Sequence, residues 1–405
     1  MLEKILCKKI GKTDWEVMDV IVVLIATAIA WYLRVIFIDL KFPDYTICLK
    51  PWVDAFRQYG GFAGLGHEIG NYTPAYMHIL MLISYFDTEP LYLIKGVSIV
   101  LDFVLAIVAC LLIGKGKSKY QKILVYIFVL MLPTVITNSG VWGQCDNIYT
   151  IFILSALLCA TTDISKKIAW KKLAFTIGTD DIVMFLLGCA FSFKLQTVFV
   201  LPVVAILFIK KSYRLRTLLW IPFVYCITLI PSWIAGRGAV DLLTIYFRQS
   251  QDFGELQLEF PNVYSFWQFD GLDKEISTIC LWFCGLSLVA LVYYLYQKKI
   301  VFSARFLCSL TTFSVLLITY LLPHMHDRYA YIAEITSMHY LFEGKKKMWI
   351  PVVMNLIALE SYSETLLWFS FEGFNVIGAL LRLLLLFVVG MDVLEQTRVR
   401  EDKCA

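Results

Sequence analysis

Long uninterrupted apolar runs dominate this sequence. Two of them, Val20 to Ile38 and Val97 to Ile113, hold too few polar residues to form part of a soluble domain. Within a bilayer every backbone N–H and C=O group needs a hydrogen-bond partner in the protein, so only helices and closed barrels cross it. Barrel strands show as alternating segments of about ten residues. These runs are longer and do not alternate, which predicts a polytopic all-α membrane protein.

Composition and charge agree with a membrane protein. Hydrophobic residues make up 59% of the 405 residues, charged residues only 17%, and the mean hydropathy is +0.72. The net charge is +4, and the Lys and Arg residues lie in short clusters between apolar runs. No charged tail is long enough to favour a nucleic-acid partner. The whole chain, residues 1–405, reads as one membrane domain without a linker or a tandem repeat.

The apolar segments predict about twelve transmembrane helices. Several are shorter than the roughly 20 residues that a perpendicular span requires, so their ends extend into flanking residues or the bilayer thins. The predicted segments are Val20 to Asp39, Leu91 to Ile113, Ile123 to Ile136, Ile148 to Ala160, Ile182 to Phe193, Thr197 to Ile209, Leu218 to Ile234, Ile276 to Leu295, Phe306 to Leu322, Tyr329 to Phe342, Trp349 to Ala358 and Val376 to Val389.

The distribution of positive charge predicts a topology. With twelve spans and both termini in the cytoplasm, every main cationic cluster faces the cytoplasm, as the positive-inside rule requires. A further short run, Tyr76 to Phe86, would invert all the later clusters if it crossed the membrane, so we interpret it as re-entrant or interfacial. The clusters are Lys115/Lys117/Lys119/Lys122, Lys166/Lys167/Lys171/Lys172, Lys210/Lys211/Arg214/Arg216, Lys298/Lys299/Arg305, Lys345/Lys346/Lys347 and Arg398/Arg400.

This topology leaves two larger segments outside the cytoplasm of a plasma-membrane protein. They run from Leu40 to Pro90 and from about Ala235 to Glu275. Part of the first, DYTICLKPWVDAFRQYGG, could form an amphipathic helix on the membrane surface. Positive residues on the outer side are unexpected and could either reach the lipid headgroups or bind an anionic ligand. They are Arg34, Lys41, Lys50, Arg57, Lys194, Arg237, Arg248, Lys274 and Arg328.

Short polar motifs also fall on the predicted outer side. Asp44 opens the motif DYTICLKPW, where a carboxylate is either an ordinary solvated loop residue or a reactive group. The loop NSGVWGQCDN offers Trp142, Gln144 and Asp146, which suits either a sugar site or an interfacial tryptophan with polar neighbours. The motif FKLQ supplies Lys194 and Gln196 at the outer end of a helix.

The densest polar cluster is PHMHDRY, directly after an apolar run. It contains His324, His326, Asp327, Arg328 and Tyr329. Two histidines and an aspartate could ligate zinc, but without a further His or Cys this is a weak metal pattern. A phosphate site fits better, because arginine offers planar paired donors and histidine can exchange a proton with a phosphate oxygen.

Taken in order, these motifs resemble the GT-C superfamily of polyprenyl-phosphate-sugar glycosyltransferases. The resemblance rests on DY followed by PW, N-Y-x-P, VWGQxD, FKxQ and HMHDRY, spread over residues 34–329. The sequence is most similar to bacterial relatives of the PIG-V type of GPI mannosyltransferase, which commonly carry HMHERY at the last motif. Asp327 keeps the charge of that glutamate with a shorter reach, which puts a direct catalytic role for this position in doubt.

The resemblance implies a GT-C-like bundle that transfers a sugar from a polyprenyl-phosphate donor on the extracytoplasmic face. The acceptor would be a glycan, a lipid or a protein. Asp44 maps to the general base. A looser match places Asn262 in the motif of a late outer loop. The residues expected to bind the donor phosphate or the substrate are Trp142, Gln144, Asp146, Lys194, Gln196, Arg248, Asn262, His324, His326, Arg328 and Tyr329.

The chemistry of such a transfer is consistent with these residues. An inverting single displacement needs a base that takes the proton of the acceptor hydroxyl, which is the role expected of Asp44. Negative charge grows on the leaving phosphate and would be stabilised by Lys194, Arg328 and one of the two histidines. No cofactor is required, and a divalent cation is optional. A flippase or transporter for the same lipid, or an accessory protein with vestigial motifs, remains an alternative reading of the sequence.

Overall fold

A computed structural model describes residues 8–10, 14–170, 173–249, 255–266 and 271–398. Residues 1–7, 11–13, 171–172, 250–254, 267–270 and 399–405 lie outside this part. Three residues of the predicted cationic clusters are therefore also outside it, namely Lys171, Lys172 and Arg400.

The described chain is mainly helical, as the apolar runs predict. Seventeen α-helices are numbered here in chain order. They are α1 Val17–Val35, α2 Lys50–Gln58, α3 Pro74–Ser84, α4 Pro90–Ile113, α5 Lys119–Met131, α6 Pro133–Ile136, α7 Asp146–Ala160, α8 Thr179–Phe193, α9 Leu201–Lys211, α10 Trp220–Ile234, α11 Ala239–Leu243, α12 Ile245–Gln249, α13 Asp273–Gln297, α14 Ala304–Leu321, α15 Tyr331–Thr336, α16 Trp349–Leu367 and α17 Phe374–Arg398.

Six of the described helices are long and apolar enough to cross a membrane, and a bent pair raises the number to seven. This is compatible with the predicted all-α membrane protein, whereas the number of twelve spans stays a prediction. The bent pair joins Lys119–Met131 to Pro133–Trp142 at an angle of 48°. The six helices are Val17–Val35, Pro90–Ile113, Leu215–Ile234, Asp273–Gln297, Ala304–Leu321 and Phe374–Thr397.

Several predicted spans are shorter helices in the structure. The run expected from Ile123 to Ile136 bends because Pro133 has no backbone N–H to continue the hydrogen-bond ladder. The helix α7 has 15 residues, and α3 has 11. The short run Tyr76 to Phe86 falls largely on α3 and is thus helical, while its interpretation as re-entrant stays a prediction. Because these helices are short, some of their ends lie inside the fold. Such helix ends are close to the polar cluster described below.

Two small sheets interrupt the helices. Strands β1 Ser165–Trp170 and β2 Leu173–Gly178 form an antiparallel hairpin, whereas β3 Gln257–Leu258 and β4 Met325–His326 are parallel. The second pairing was not expected from the sequence because each strand has only two residues. The pairing of β3 with β4 holds the PHMHDRY motif against the late outer loop. It therefore fixes the direction in which the backbone of the motif runs.

The core is built around α14. Sixteen of its 18 residues are buried, and they contact helices from both halves of the chain. The helix begins shortly after the cationic pair Lys298 and Lys299 and ends just before His324. The polar motif and this cationic pair therefore lie at opposite ends of one buried helix.

The first predicted outer segment contains the expected short helix. Asp44–Leu49 forms a π-helical turn that continues into α2. The apolar face of α2, with Val53 and Phe56, is buried against α3 and the turn Gly61–Gly66. This packing holds Asp44 at the edge of the helical bundle.

Candidate functional site

Asp44 lies at the first position of the π-helical turn, where its side chain is 41% exposed. The side-chain amide of Gln144 donates a hydrogen bond to Asp44 Oδ2. No described residue donates a hydrogen bond to the other carboxylate oxygen, which is left for another donor. A carboxylate that is fixed on one side and open on the other has the geometry required of a general base.

Arg328 is the centre of the cluster. Its guanidinium lies 4.0 Å from Asp44, 3.6 Å from Asp146 and 3.8 Å from Asp327. Each separation is longer than a hydrogen bond. The buried Nε atom has no hydrogen-bond partner among the described residues. Arg328 thus lies close to three carboxyl groups while its donor groups remain available.

Lys194 forms the second cationic position. It follows the end of α8 directly, is 5% exposed and pairs with Asp146. Its ammonium group also lies 5.9 Å from the ring centres of Tyr72 and Tyr149. Asp146 accepts a third contact, a 2.8 Å hydrogen bond from Asn138. Asp146 is therefore a buried anchor that sets the positions of both cations.

The WGQ loop owes its shape to a second π-helical turn, Thr137–Trp142. Gly143 follows with φ 82°, a conformation that favours glycine. The backbone then returns, and Gln144 N–H donates to the carbonyl of Asn138 at 2.8 Å. Single-turn π segments are rare and occur often at functional sites. The turn directs Gln144 toward Asp44 and Trp142 toward Arg328, whose guanidinium carbon lies 4.8 Å from the ring centre.

A buried ion pair supports this loop from behind. Arg34 Nε donates to Asp102 at 2.7 Å, and both side chains are fully buried. Asp102 also accepts hydrogen bonds from Ser139 and Asn147, on either side of the loop. Gly140 lies so close to Arg34 that a Cβ atom would be 2.9 Å from its Cα. Arg34 was expected on the outer side, where it would reach the lipid headgroups or bind an anionic ligand, and its partner Asp102 was not singled out from the sequence.

The NYTP motif connects two parts of the site. Thr73 Oγ1 donates to the carbonyl of Ser192 at 2.7 Å, near the end of α8. This hydrogen bond joins the start of α3 to the end of α8, two residues before Lys194. The neighbouring Tyr72 then lies beside the Lys194 ammonium group. The motif therefore positions Lys194.

The two histidines of PHMHDRY have different surroundings. His324 has φ 60°, and its Nδ1 atom is 2.5 Å from the carbonyl oxygen of Glu255 in the late loop. His326 lies edge-on to the Tyr329 ring, with centres 5.2 Å apart. Burial, followed by the nearby charges of Arg328 and Lys194, lowers the pKa of His326 to about 3. His326 is therefore neutral near pH 7, so the positive charge expected from one histidine does not come from this ring.

Tyr329 and Gln196 form the side of the cluster toward α9. The Gln196 side chain hydrogen-bonds to Tyr329. The Tyr329 ring also contacts Phe199, with ring centres 6.3 Å apart. The polar cluster therefore continues directly into apolar side chains.

Two of the expected site residues lie in other clusters. Arg248 pairs with Asp241, and with Glu68 at 3.4 Å, which fastens the late loop to the first outer segment. Asn262 caps its own turn, since its Oδ1 atom accepts a 3.0 Å hydrogen bond from Tyr264 N–H. The contacts of Arg248 and Asn262 therefore indicate that both residues hold the outer loops in their conformation.

Asp327 is buried and hydrogen-bonded rather than open. It accepts from the Arg328 backbone N–H at 2.8 Å and from Thr365 at 2.6 Å. Burial outweighs the attraction of Arg328 and raises the pKa of Asp327 to about 7. The folded protein therefore holds a proton at Asp327 that the unfolded chain releases at lower pH.

This shift predicts a pH-dependent stability. Between the unfolded pKa of about 3.9 and the folded pKa of about 7, the folded state binds more protons, so its stability falls as the pH rises through that window. Asp327→Asn removes this titration. In thermal unfolding, we expect the melting temperature of the original protein, measured relative to that of Asp327→Asn, to fall as the pH rises from 5 to 8. A difference in melting temperature that stays constant from pH 5 to pH 8 would contradict the raised pKa of Asp327. The exposed Asp54, replaced by Asn, is the control.

Among the described residues, no group of three or more His, Cys, Asp or Glu side chains is arranged so that it could hold a metal ion. Cations occupy the positions between the carboxylates instead. The sequence expected Asp44, Trp142, Gln144, Asp146, Lys194 and Arg328 at the site, and the structure brings these six together.

Other contributors were missed. Asn138, Asp102 and Thr365 each hydrogen-bond to a member of the cluster or its loop. Asp102 could have been noticed as a carboxylate inside an apolar run, where a charge needs a partner. Thr365 gives no such signal in the sequence.

No protein-family model matches the chain, and no curated protein sequence matches it. The arrangement of charges and hydrogen bonds must therefore carry any statement about function.

Proposed function

We propose that this protein is a membrane glycosyltransferase of the GT-C type. In this proposal it moves a sugar from a polyprenyl-phosphate donor to a hydroxyl group of a glycan, lipid or protein acceptor, by inversion in a single displacement. Asp44 acts as the base, and Arg328 and Lys194 bind the donor phosphate. The resemblance of the motifs suggests this class, and the geometry of the cluster supports it independently.

The observation that carries the proposal is the pairing of Asp44 with Arg328. Asp44 is 41% exposed, its guanidinium neighbour is 4.0 Å away, and that guanidinium makes no close hydrogen bond to any of its three carboxylates. A structural ion pair would be closer and would use these donors. An open base beside a cation with free donors suits a reaction in which a proton leaves one group and negative charge grows on another.

The proposed step is a displacement at the anomeric carbon. The acceptor hydroxyl forms a bond to this carbon while its proton moves to the free oxygen of Asp44. The bond between the anomeric carbon and the phosphate oxygen breaks, and its electron pair stays on the polyprenyl phosphate. Gln144 holds the other oxygen of Asp44 and thus fixes the direction of the base.

The leaving phosphate needs positive charge. Arg328 offers the planar paired donors that match phosphate oxygens, and Lys194 contributes a point charge. Three carboxyl groups surround these two cations, so the phosphate dianion is best accommodated when Asp327 keeps its proton. The pKa of about 7 for Asp327 is consistent with this requirement near neutral pH.

We infer that the reaction occurs on the extracytoplasmic face. The polar cluster follows one end of α14, whereas Lys298, Lys299 and Arg305 lie at its other end. Because cationic loops favour the cytoplasmic side, the end with the polar cluster is assigned to the outside. In a variant whose eleven own cysteines are replaced, labelling of one cysteine introduced at Thr46 or at Lys299, in intact cells, tests this orientation.

Purified protein in nanodiscs with a radiolabelled polyprenyl-phosphate-sugar and a panel of acceptors tests the function. Release of polyprenyl phosphate together with a labelled acceptor supports the proposal. Donor that crosses the bilayer of sealed vesicles without bond cleavage would identify a flippase and contradict it. Donor that stays intact on one side with every acceptor would contradict both activities.

Arg328→Ala should weaken binding of the donor phosphate by about 10- to 100-fold, because a hydrogen bond to a charged group contributes roughly 1.5–3 kcal/mol. Titration of polyprenyl phosphate against the purified variant measures the affinity. Arg248→Ala is the matched control, since this arginine pairs with Glu68 and Asp241. An affinity equal to that of the original protein would remove Arg328 from the phosphate site.

A further inference from the structure

A large apolar groove opens on one side of the bundle. It has a volume of about 950 Å³ and lies between α9, α13 and α14. Its walls are almost entirely hydrocarbon and aromatic side chains, including Leu281, Leu288 and Val289 of α13 and Ile318 of α14. A groove of this kind cannot stabilise a polar ligand, because it offers few hydrogen-bonding groups.

The helix α13 keeps the groove open toward the lipid. Of its 25 residues only Cys284, Leu291 and Leu295 are buried. The helix stands away from the bundle, and bulky side chains such as Trp282 are largely exposed. The space between α13 and the bundle is therefore reachable from the hydrocarbon layer of a membrane.

The length of the groove suits one extended chain. Its lining on α13 reaches from Leu281 to Tyr296. At a rise of 1.5 Å per residue this stretch is about 22 Å long. The hydrocarbon core of a bilayer is about 30 Å thick. A single long hydrocarbon chain can therefore lie along most of one wall.

One end of the groove reaches the polar cluster. Phe199 lines the groove and contacts the ring of Tyr329. Val198 and Phe199 belong to the turn Leu195–Val200, which begins directly after Lys194. On the other wall Leu322 lines the groove two residues before His324. A ligand in the groove would thus have its end beside Lys194 and Arg328.

We propose that the groove binds the isoprenoid chain of a polyprenyl phosphate, with the phosphate at Lys194 and Arg328. This inference rests on the proposed function and names where its lipid substrate lies. A single groove that ends at two cations matches a single chain that ends in a phosphate. A phospholipid carries two chains, and a protein helix lacks the terminal anion.

Gly285 offers a sharp test. It lies on the groove wall, and a Cβ atom added there would meet nothing within 4 Å. The backbone at this position therefore has room for a Cβ atom, and Gly285→Trp places a bulky ring on the groove wall. Leu286→Trp is the matched control, because the next residue of the same helix is 65% exposed and is not part of the lining. Equal melting temperatures of the two variants establish that both are folded.

The experiment is a titration of two probes without any sugar, a long-chain polyprenyl phosphate and geranyl phosphate. We expect Gly285→Trp to weaken the long-chain probe by about tenfold or more, because several isoprene units lose their burial. Binding of geranyl phosphate should stay unchanged, and Leu286→Trp should bind both probes normally. Native mass spectrometry in the presence of excess phospholipid records which lipid is retained.

Three results would overturn the inference. They are normal binding of the long-chain probe by Gly285→Trp, an equal loss in Leu286→Trp, and retention of phospholipid instead of polyprenyl phosphate by the original protein. The test is separate from transfer activity. A protein that binds the long chain in the groove but never transfers a sugar would contradict the proposed function alone.

Discussion

Replacing Asp44 by Asn is expected to lower the rate of sugar transfer by about 10²- to 10⁴-fold, the usual contribution of a positioned general base. Asparagine keeps the shape of the side chain but cannot take the proton of the acceptor hydroxyl. Binding of the donor should remain largely intact, since the phosphate is assigned to Arg328 and Lys194. Single-turnover transfer and donor titration on the same preparation separate the two effects.

The control for this variant lies in the same segment. Asp54 is an exposed carboxylate on α2 that pairs with Lys50 and Arg57. Asp54→Asn should transfer sugar at the original rate. Full turnover by Asp44→Asn would reject Asp44 as the base, and equal losses in both variants would point to a general effect of charge in this segment.

Replacing Asp102 by Ala is expected to destabilise the protein by roughly 3–5 kcal/mol, the cost of leaving one member of a buried ion pair without its partner. Arg34 would then be a fully buried cation without its carboxylate partner, and Ser139 and Asn147 would each lose one of their acceptors. The transition measured by thermal unfolding in detergent should move down by many degrees. Transfer should fall as well, because the loop that carries Gln144 loses its support.

A double replacement separates charge from packing at this position. Arg34→Met combined with Asp102→Leu removes both charges, and buried pairs exchanged for apolar residues are often as stable as before. We therefore expect the double variant to melt well above Asp102→Ala. Asp54→Ala, which breaks an exposed pair, should cost at most about 1 kcal/mol. A melting temperature of Asp102→Ala equal to the original would contradict the role of the pair.

The kinds of residue that form the site could be predicted from the sequence. Charged residues such as Lys194 and Arg328 are rare beside apolar runs, so their presence indicated a specific environment. The loop around Gln144 stood out because ring, amide and carboxylate follow one another within a few residues. Contact between these motifs depends on packing between distant helices. The structure supplied that contact, for example the hydrogen bond between Gln144 and Asp44.

Other features were beyond the sequence for physical reasons. The two-residue pairing of β3 with β4 has no periodicity that could be detected. The ion pair of Arg248 with Glu68 could not be predicted, because the two residues come from distant segments of the sequence. The number of spans was hard to predict, since apolar runs broken at positions such as Pro133 read like complete helices.

The ion pair between Arg34 and Asp102 also bears on how the chain enters the membrane. Both charges lie on helices that are long and apolar enough to cross the bilayer. Asp102 is near the middle of α4, where an unpaired charge would oppose insertion by roughly 2.5–3.5 kcal/mol. Because pairing with Arg34 lowers this opposition, we expect α4 to enter the lipid more readily together with α1 than alone.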